Sequence, residues 1–121
     1  MVPSLKILLV EDEPLWQEGI KALLGIEPDW QVVSVCDNYE SALKEFETTT
    51  PDLVLLDWKI KGDKDGLAVG VALTDKGFPA EKIILVTGSH PSVIPENDYH
   101  YVPKQSIGNE LVNTIKNVTK V

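Results

Sequence analysis

The chain has 121 residues, the length of one domain, with 43% hydrophobic and 25% charged residues, a composition that excludes a disordered chain. Eleven lysines and no arginine face nineteen acids, for a formal charge of −8, which disfavours direct nucleic-acid contact and docking on an anionic membrane. Cys36 is the lone cysteine, so an intrachain disulfide and a cysteine zinc site are both excluded, as suits a reducing, cytoplasmic setting. No run approaches a membrane span, and the apolar stretch Leu5–Val10 is too short for a signal-peptide core.

In chain order, Leu5–Val10 reads as a strand buried on both faces, ending in Glu11, Asp12 and Glu13. Pro14 suits the first turn of a helix, whose apolar positions are Leu15, Ile20, Leu23 and Leu24, with Gly25 as its stop. Trp30–Cys36 alternates and is valine-rich, so it reads as a second strand. Asp37 or Asn38 caps the next helix, which Thr48–Pro51 ends. Leu53–Leu56 is a third strand, running into Asp57. A polar loop, Lys59–Asp65, precedes a helix over Leu67–Leu73. Ile83–Val86 is a fourth strand ending at Thr87, and His100–Val102 is a short fifth. Ile107, Leu111, Ile115 and Val118 mark a last helix, with Ser106 as its cap. Such strand–helix alternation predicts an α/β fold, a parallel sheet with helices on both faces.

In open sheets of this kind, ligands bind beyond the carboxyl ends of the strands. Glu11, Asp12, Asp57, Thr87 and Lys104 all fall there: three carboxylates, a hydroxyl and an ammonium. Carboxylates crowded on one edge repel, and a hard divalent cation with oxygen ligands, Mg²⁺ first, relieves that repulsion.

Four segments, Leu8-Leu9-Val10-Glu11-Asp12, Leu53-Val54-Leu55-Leu56-Asp57, Val86-Thr87-Gly88 and Tyr101-Val102-Pro103-Lys104, resemble the receiver domain of two-component response regulators, in the same order and each at a strand end. The resemblance spans residues 1–121 as a single receiver domain. It implies a flavodoxin-like, doubly wound sheet of order 2-1-3-4-5. It also implies Asp57 as a phosphoacceptor, attacking the phosphohistidine of a sensor histidine kinase or phosphotransfer protein. Asp12, Asp57 and the backbone carbonyl of Lys59 would hold Mg²⁺, with Glu11 acting through water. Lys104 would balance the phosphoryl charge, Thr87 would bond a phosphoryl oxygen, and Tyr101 would change rotamer with Thr87. The chain would also remove its own phosphoryl group, and its output would be a switched surface for a downstream protein. The rival readings are the receiver portion of a DNA-binding transcriptional regulator, and a pseudo-receiver that is never phosphorylated.

The sequence also departs from the family. Trp58-Lys59-Ile60-Lys61 follows the acceptor without the usual proline, and the acidic–glycine pair Asp65-Gly66 comes one residue late, so a changed loop path with extra positive charge from Lys59 and Lys61 is expected. Gln105 follows Lys104 where many receivers have proline. Between the fourth and fifth strands, Gly88–Asp98 is short and holds Pro91 and Pro95. Prolines at that spacing break a helix, so the usual fourth helix is expected to be absent or about one turn long. His90 and His100 are not spaced for a metal site, Cys36 reads as a small buried residue, and Trp58 as a partly exposed loop residue. Trp16 and Trp30 read as packing residues.

Overall fold

The computed structural model describes residues 4–119, so the termini of the 1–121 domain lie outside the described residues. The elements are β1 (Leu5–Val10), α1 (Pro14–Leu24), β2 (Trp30–Cys36), α2 (Tyr39–Thr49), β3 (Leu53–Leu56), α3 (Gly66–Asp75), β4 (Ile83–Thr87), β5 (His100–Pro103) and α4 (Ile107–Thr119). The five strands pair in parallel in the order β2-β1-β3-β4-β5. All of β3 and β4 is buried, as a sheet covered on both faces requires.

Alternate residues of the central strands feed two cores. Ile7, Leu9, Leu55, Ile84 and Val102 face α1 and α4, meeting Ile20, Leu24, Leu111 and Ile115. Leu8, Val10, Val54, Leu56 and Leu85 face the other way, meeting Ala42 of α2 and Val69 and Leu73 of α3. That period of two fixes the strand register, because a one-residue slip would exchange the two faces.

The helix ends follow local chemistry. Asn38 caps α2 by accepting from the Ser41 N–H at 2.9 Å, and Asp65 caps α3 by accepting from the Ala68 N–H at 3.0 Å. Two sequence expectations are corrected, those for Leu15 and Ser106. Leu15 is 87% exposed, because it stands five residues before Ile20 and nine before Leu24, which puts it round the helix from the core they face. Gly25 ends α1 as its place in the sequence predicts, in an ordinary right-handed conformation (φ −65°). Ser106 is not a simple cap: a 3₁₀ turn, Lys104–Ser106, runs straight into α4.

The crossover from β4 to β5 holds no α-helix. Its regular structure is one 3₁₀ turn, Pro91–Val93, closed by Val93 and Ile94 N–H groups donating to His90 and Pro91 carbonyls. Ile94 nonetheless enters the core on the α2–α3 face. The 3₁₀ turn matches the shortening that Pro91 and Pro95 predict.

Candidate functional site

Two backbone bonds hold the acidic strand ends side by side. The Asp57 N–H donates to the Val10 carbonyl at 2.9 Å, and the Glu11 N–H donates to the Cys36 carbonyl at 2.8 Å. These extend the sheet ladder one step past its strands, so the side chains after Val10 and Leu56 emerge together. Carboxylate oxygens of Glu11, Asp12 and Asp57 lie within 4.8 Å of one another. Glu11 and Asp57 are buried, and Asp12 is half-buried.

Lys104 comes in from the end of β5 and is itself buried. Its Nζ donates to Asp57 Oδ2 at 2.9 Å and lies 2.7 Å from Glu11 Oε1, a charge contact rather than a well-directed hydrogen bond. The other Glu11 oxygen accepts from the Glu13 N–H at 3.0 Å. Burial pushes the Glu11 carboxyl above its ordinary value, against the opposing pull of Lys104. For Lys104, burial works against the ammonium, but Glu11 and Asp57 outweigh it and hold its pKa above the ordinary lysine value.

Thr87 is buried at the end of β4, and its hydroxyl accepts from the Ser89 N–H at 3.3 Å. Tyr101 donates its hydroxyl to the Ser89 carbonyl at 2.8 Å. Ser89 therefore ties Thr87 to Tyr101. Asp57, Lys59, Thr87, Ser89, Lys104 and Trp16 share the wall of an open cleft of about 310 Å³.

The loop after Asp57 folds back on itself. Trp58 Nε1 donates to Asp65 Oδ2 at 3.1 Å, and the Gly66 N–H donates to the Trp58 carbonyl at 2.7 Å. Gly66 sits so close beneath the acceptor that a Cβ there would collide with the Asp57 carbonyl oxygen, so only glycine fits. The extra charge expected from this loop divides. Lys59 lines the cleft, with its ammonium over the Trp58 ring at 4.2 Å. Lys61 turns away and pairs with Asp37 at 3.3 Å, because the loop forms a bridge to Asn38 beside β2.

Sequence reasoning read Trp16 as a packing residue and missed that it lines the cleft. Trp16 packs not only within α1: the Lys104 ammonium lies 4.9 Å from its ring centroid. Its position two residues after Pro14, on the first turn above the acids, is the one signal that could have placed it there.

A five-stranded parallel sheet of order β2-β1-β3-β4-β5 with three carboxylates and a lysine at its carboxyl edge defines a flavodoxin-like α/β domain with an acidic strand-end site. The chain belongs to the response regulator receiver domain family, whose model matches residues 7–116. The nitrate/nitrite response regulator protein NarL of Escherichia coli K12 is 32% identical over 84 residues, covering 69% of this chain and 38% of that protein. The chain thus spans about two-fifths of the length of that relative. A DNA-binding response regulator of the LuxR family from Staphylococcus aureus matches in structure with a TM-score of 0.83 and 28% identity, covering 96% of this chain and 99% of that one. The signal receiver domain of response regulator NarL from Mycobacterium tuberculosis matches with a TM-score of 0.84 at 22% identity, covering 99% of this chain and 100% of that one. No helix among the described residues is long and apolar enough to cross a membrane.

Proposed function

We propose that this receiver takes a phosphoryl group onto Asp57 from the phosphohistidine of a sensor histidine kinase or phosphotransfer protein, in the cytoplasm, and so switches a surface for a downstream protein. One observation carries the reading: Asp57 meets the Lys104 ammonium at 2.9 Å at the wall of an open cleft, inside a cluster of three carboxylates. In the transfer, an Asp57 carboxylate oxygen forms a bond to phosphorus as the donor P–N bond breaks, and the electron pair stays on the imidazole nitrogen. Lys104 neutralises the charge gathering on the phosphoryl oxygens, and the Thr87 hydroxyl donates to one of them. Positioning supplies most of the rate, because the phosphoryl transition state asks little acid–base work of the protein.

The donor set suits Mg²⁺: hard oxygens, two of them buried, close enough to share one ion. Asp12, Asp57 and the Lys59 backbone carbonyl would hold it, with Glu11 acting through water. Bound there, the ion would supply charge neutralisation at the transferring group. Tyr101 reads the state of Thr87 through Ser89, whose carbonyl it already holds. Water attack on the acyl phosphate then resets the domain.

A second reading concerns the whole protein. The chain spans 38% of the nitrate/nitrite regulator it matches, and it matches a DNA-binding response regulator at 28% identity. These favour a receiver that controls a DNA-binding output, the receiver itself making no nucleic-acid contact.

Intact mass after incubation with phosphoramidate tests the main reading. One added phosphoryl group is expected, dependent on Mg²⁺ and absent from Asp57→Asn. No adduct on folded wild-type protein would favour the pseudo-receiver reading instead.

A further inference from the structure

Lys104 has three N–H bonds to place and two carboxylate partners, Glu11 Oε1 at 2.7 Å and Asp57 Oδ2 at 2.9 Å. Its third neighbour is the Trp16 ring, at 4.9 Å from Nζ to the ring centroid, within the range of a cation–π contact. The same ring lines the open cleft beside Asp57, Thr87 and Lys104. Trp16 therefore covers the ammonium on its solvent side, while the two acids hold it from below.

Phosphoryl acceptance changes only one of those three partners. The Asp57 oxygen that bonds phosphorus becomes the bridging oxygen of the acyl phosphate, and the negative charge moves outward to the phosphoryl oxygens. Lys104 has to exchange an Asp57 oxygen for a phosphoryl oxygen without swinging into water. Glu11 and Trp16 are the fixed partners through that exchange.

We infer that Trp16 is a positioning residue for phosphoryl acceptance, its ring face holding the Lys104 ammonium over the cleft while Asp57 changes from carboxylate to acyl phosphate. The inference rests on the phosphoacceptor reading of Asp57. It concerns the face of the ring and not its bulk, so Phe serves in place of Trp and an aliphatic side chain of similar reach does not.

Two measurements test it, on wild type, Trp16→Phe and Trp16→Leu. The first is the rate of phosphoryl uptake from phosphoramidate with Mg²⁺, read by intact mass. Trp16→Leu is expected to be slower by about three- to tenfold, the range of a partly desolvated cation–π contact, and Trp16→Phe to stay within about twofold of wild type. The second uses metal-free protein: the Lys104 Hε resonances should lie upfield from the ring current, less so in Trp16→Phe, and at ordinary positions in Trp16→Leu. Equal uptake by wild type and Trp16→Leu would overturn the inference while leaving the phosphoacceptor reading standing. Equal slowing in Trp16→Phe and Trp16→Leu would also overturn it, as would Lys104 resonances indifferent to the substitution. No uptake even by wild type would overturn both readings together.

Discussion

The carboxyl ends of β1 and β3 and the crossover from β4 to β5 have opposite designs. At the first, the acceptor, its acidic neighbour and the lysine are held by rigid surroundings. Glu11 and Asp57 extend the sheet ladder, Gly66 packs directly under the Asp57 carbonyl, and Lys104 is clamped between two carboxylates. At the second, one 3₁₀ turn stands where the other crossovers carry helices of ten or eleven residues. Yet β5 still pairs with β4 in parallel, from Ile84 opposite His100 to Thr87 opposite Pro103. The sheet edge therefore does not need the missing helix. What it needs from the crossover is one apolar anchor, Ile94, to close the α2–α3 face, and one polar relay, Ser89, between Thr87 and Tyr101. A site carried on strand ends keeps its geometry while the connection beside it is rebuilt.

That division of labour can be broken by mutation. Lys104→Met should have the largest effect, because it leaves Glu11 and Asp57 buried and uncompensated. A loss of about 3–5 kcal/mol in urea unfolding is expected, together with strongly reduced phosphoryl uptake. Ile94→Ala should cost about 2–3 kcal/mol through the cavity it leaves, with phosphoryl uptake from a small donor unchanged. Uptake falling in parallel with stability in Ile94→Ala would show that the two regions are not separable.

The smallest expected effect is in the pH dependence of stability. The Glu11 carboxyl is held above its ordinary value, chiefly by burial, so the folded state binds that proton more readily than the unfolded state. The stability it contributes is present below the ordinary carboxylate value and is lost as pH rises through the raised folded one. Lys104 also has a raised value, so its contribution is complete below the ordinary lysine value and is lost only as pH climbs past it. Urea midpoints of Glu11→Gln against pH should therefore lack part of the wild-type slope on the acid side, and the alkaline decline should weaken too, because Glu11 is one of the two acids that raise Lys104. An unchanged acid-side slope would place the raised proton elsewhere.

Much of this was legible in the sequence, for reasons specific to each element. Apolar runs that end in acids, as at Val10-Glu11-Asp12 and Leu56-Asp57, mark both a buried strand and the edge where it emerges. Pro91 and Pro95 foretold the loss of the helix, since proline removes a helical donor and clashes with the preceding turn. The contacts that were not legible depend on angles between elements. The position of Trp16 in the first turn of α1 sets it near the acids but does not say that its ring lies over a lysine almost ninety positions away. Nor does the sequence show that Lys61 turns to Asp37, because that follows from the bridge between the loop and Asn38. Leu15, by contrast, stands five residues before Ile20 and nine before Leu24, spacings that carry it round the helix away from them, so its exposure was there to be read in the sequence.

The most direct test traps the acyl phosphate where it forms. The protein would be phosphorylated with phosphoramidate and Mg²⁺, reduced with borohydride and mapped by peptide mass, since reduction converts an aspartyl phosphate to homoserine. The account predicts homoserine at position 57 and at no other acid. Reduction at Asp12 or Glu11 instead, or phosphoryl-loaded protein with Asp57 unmodified, would contradict it.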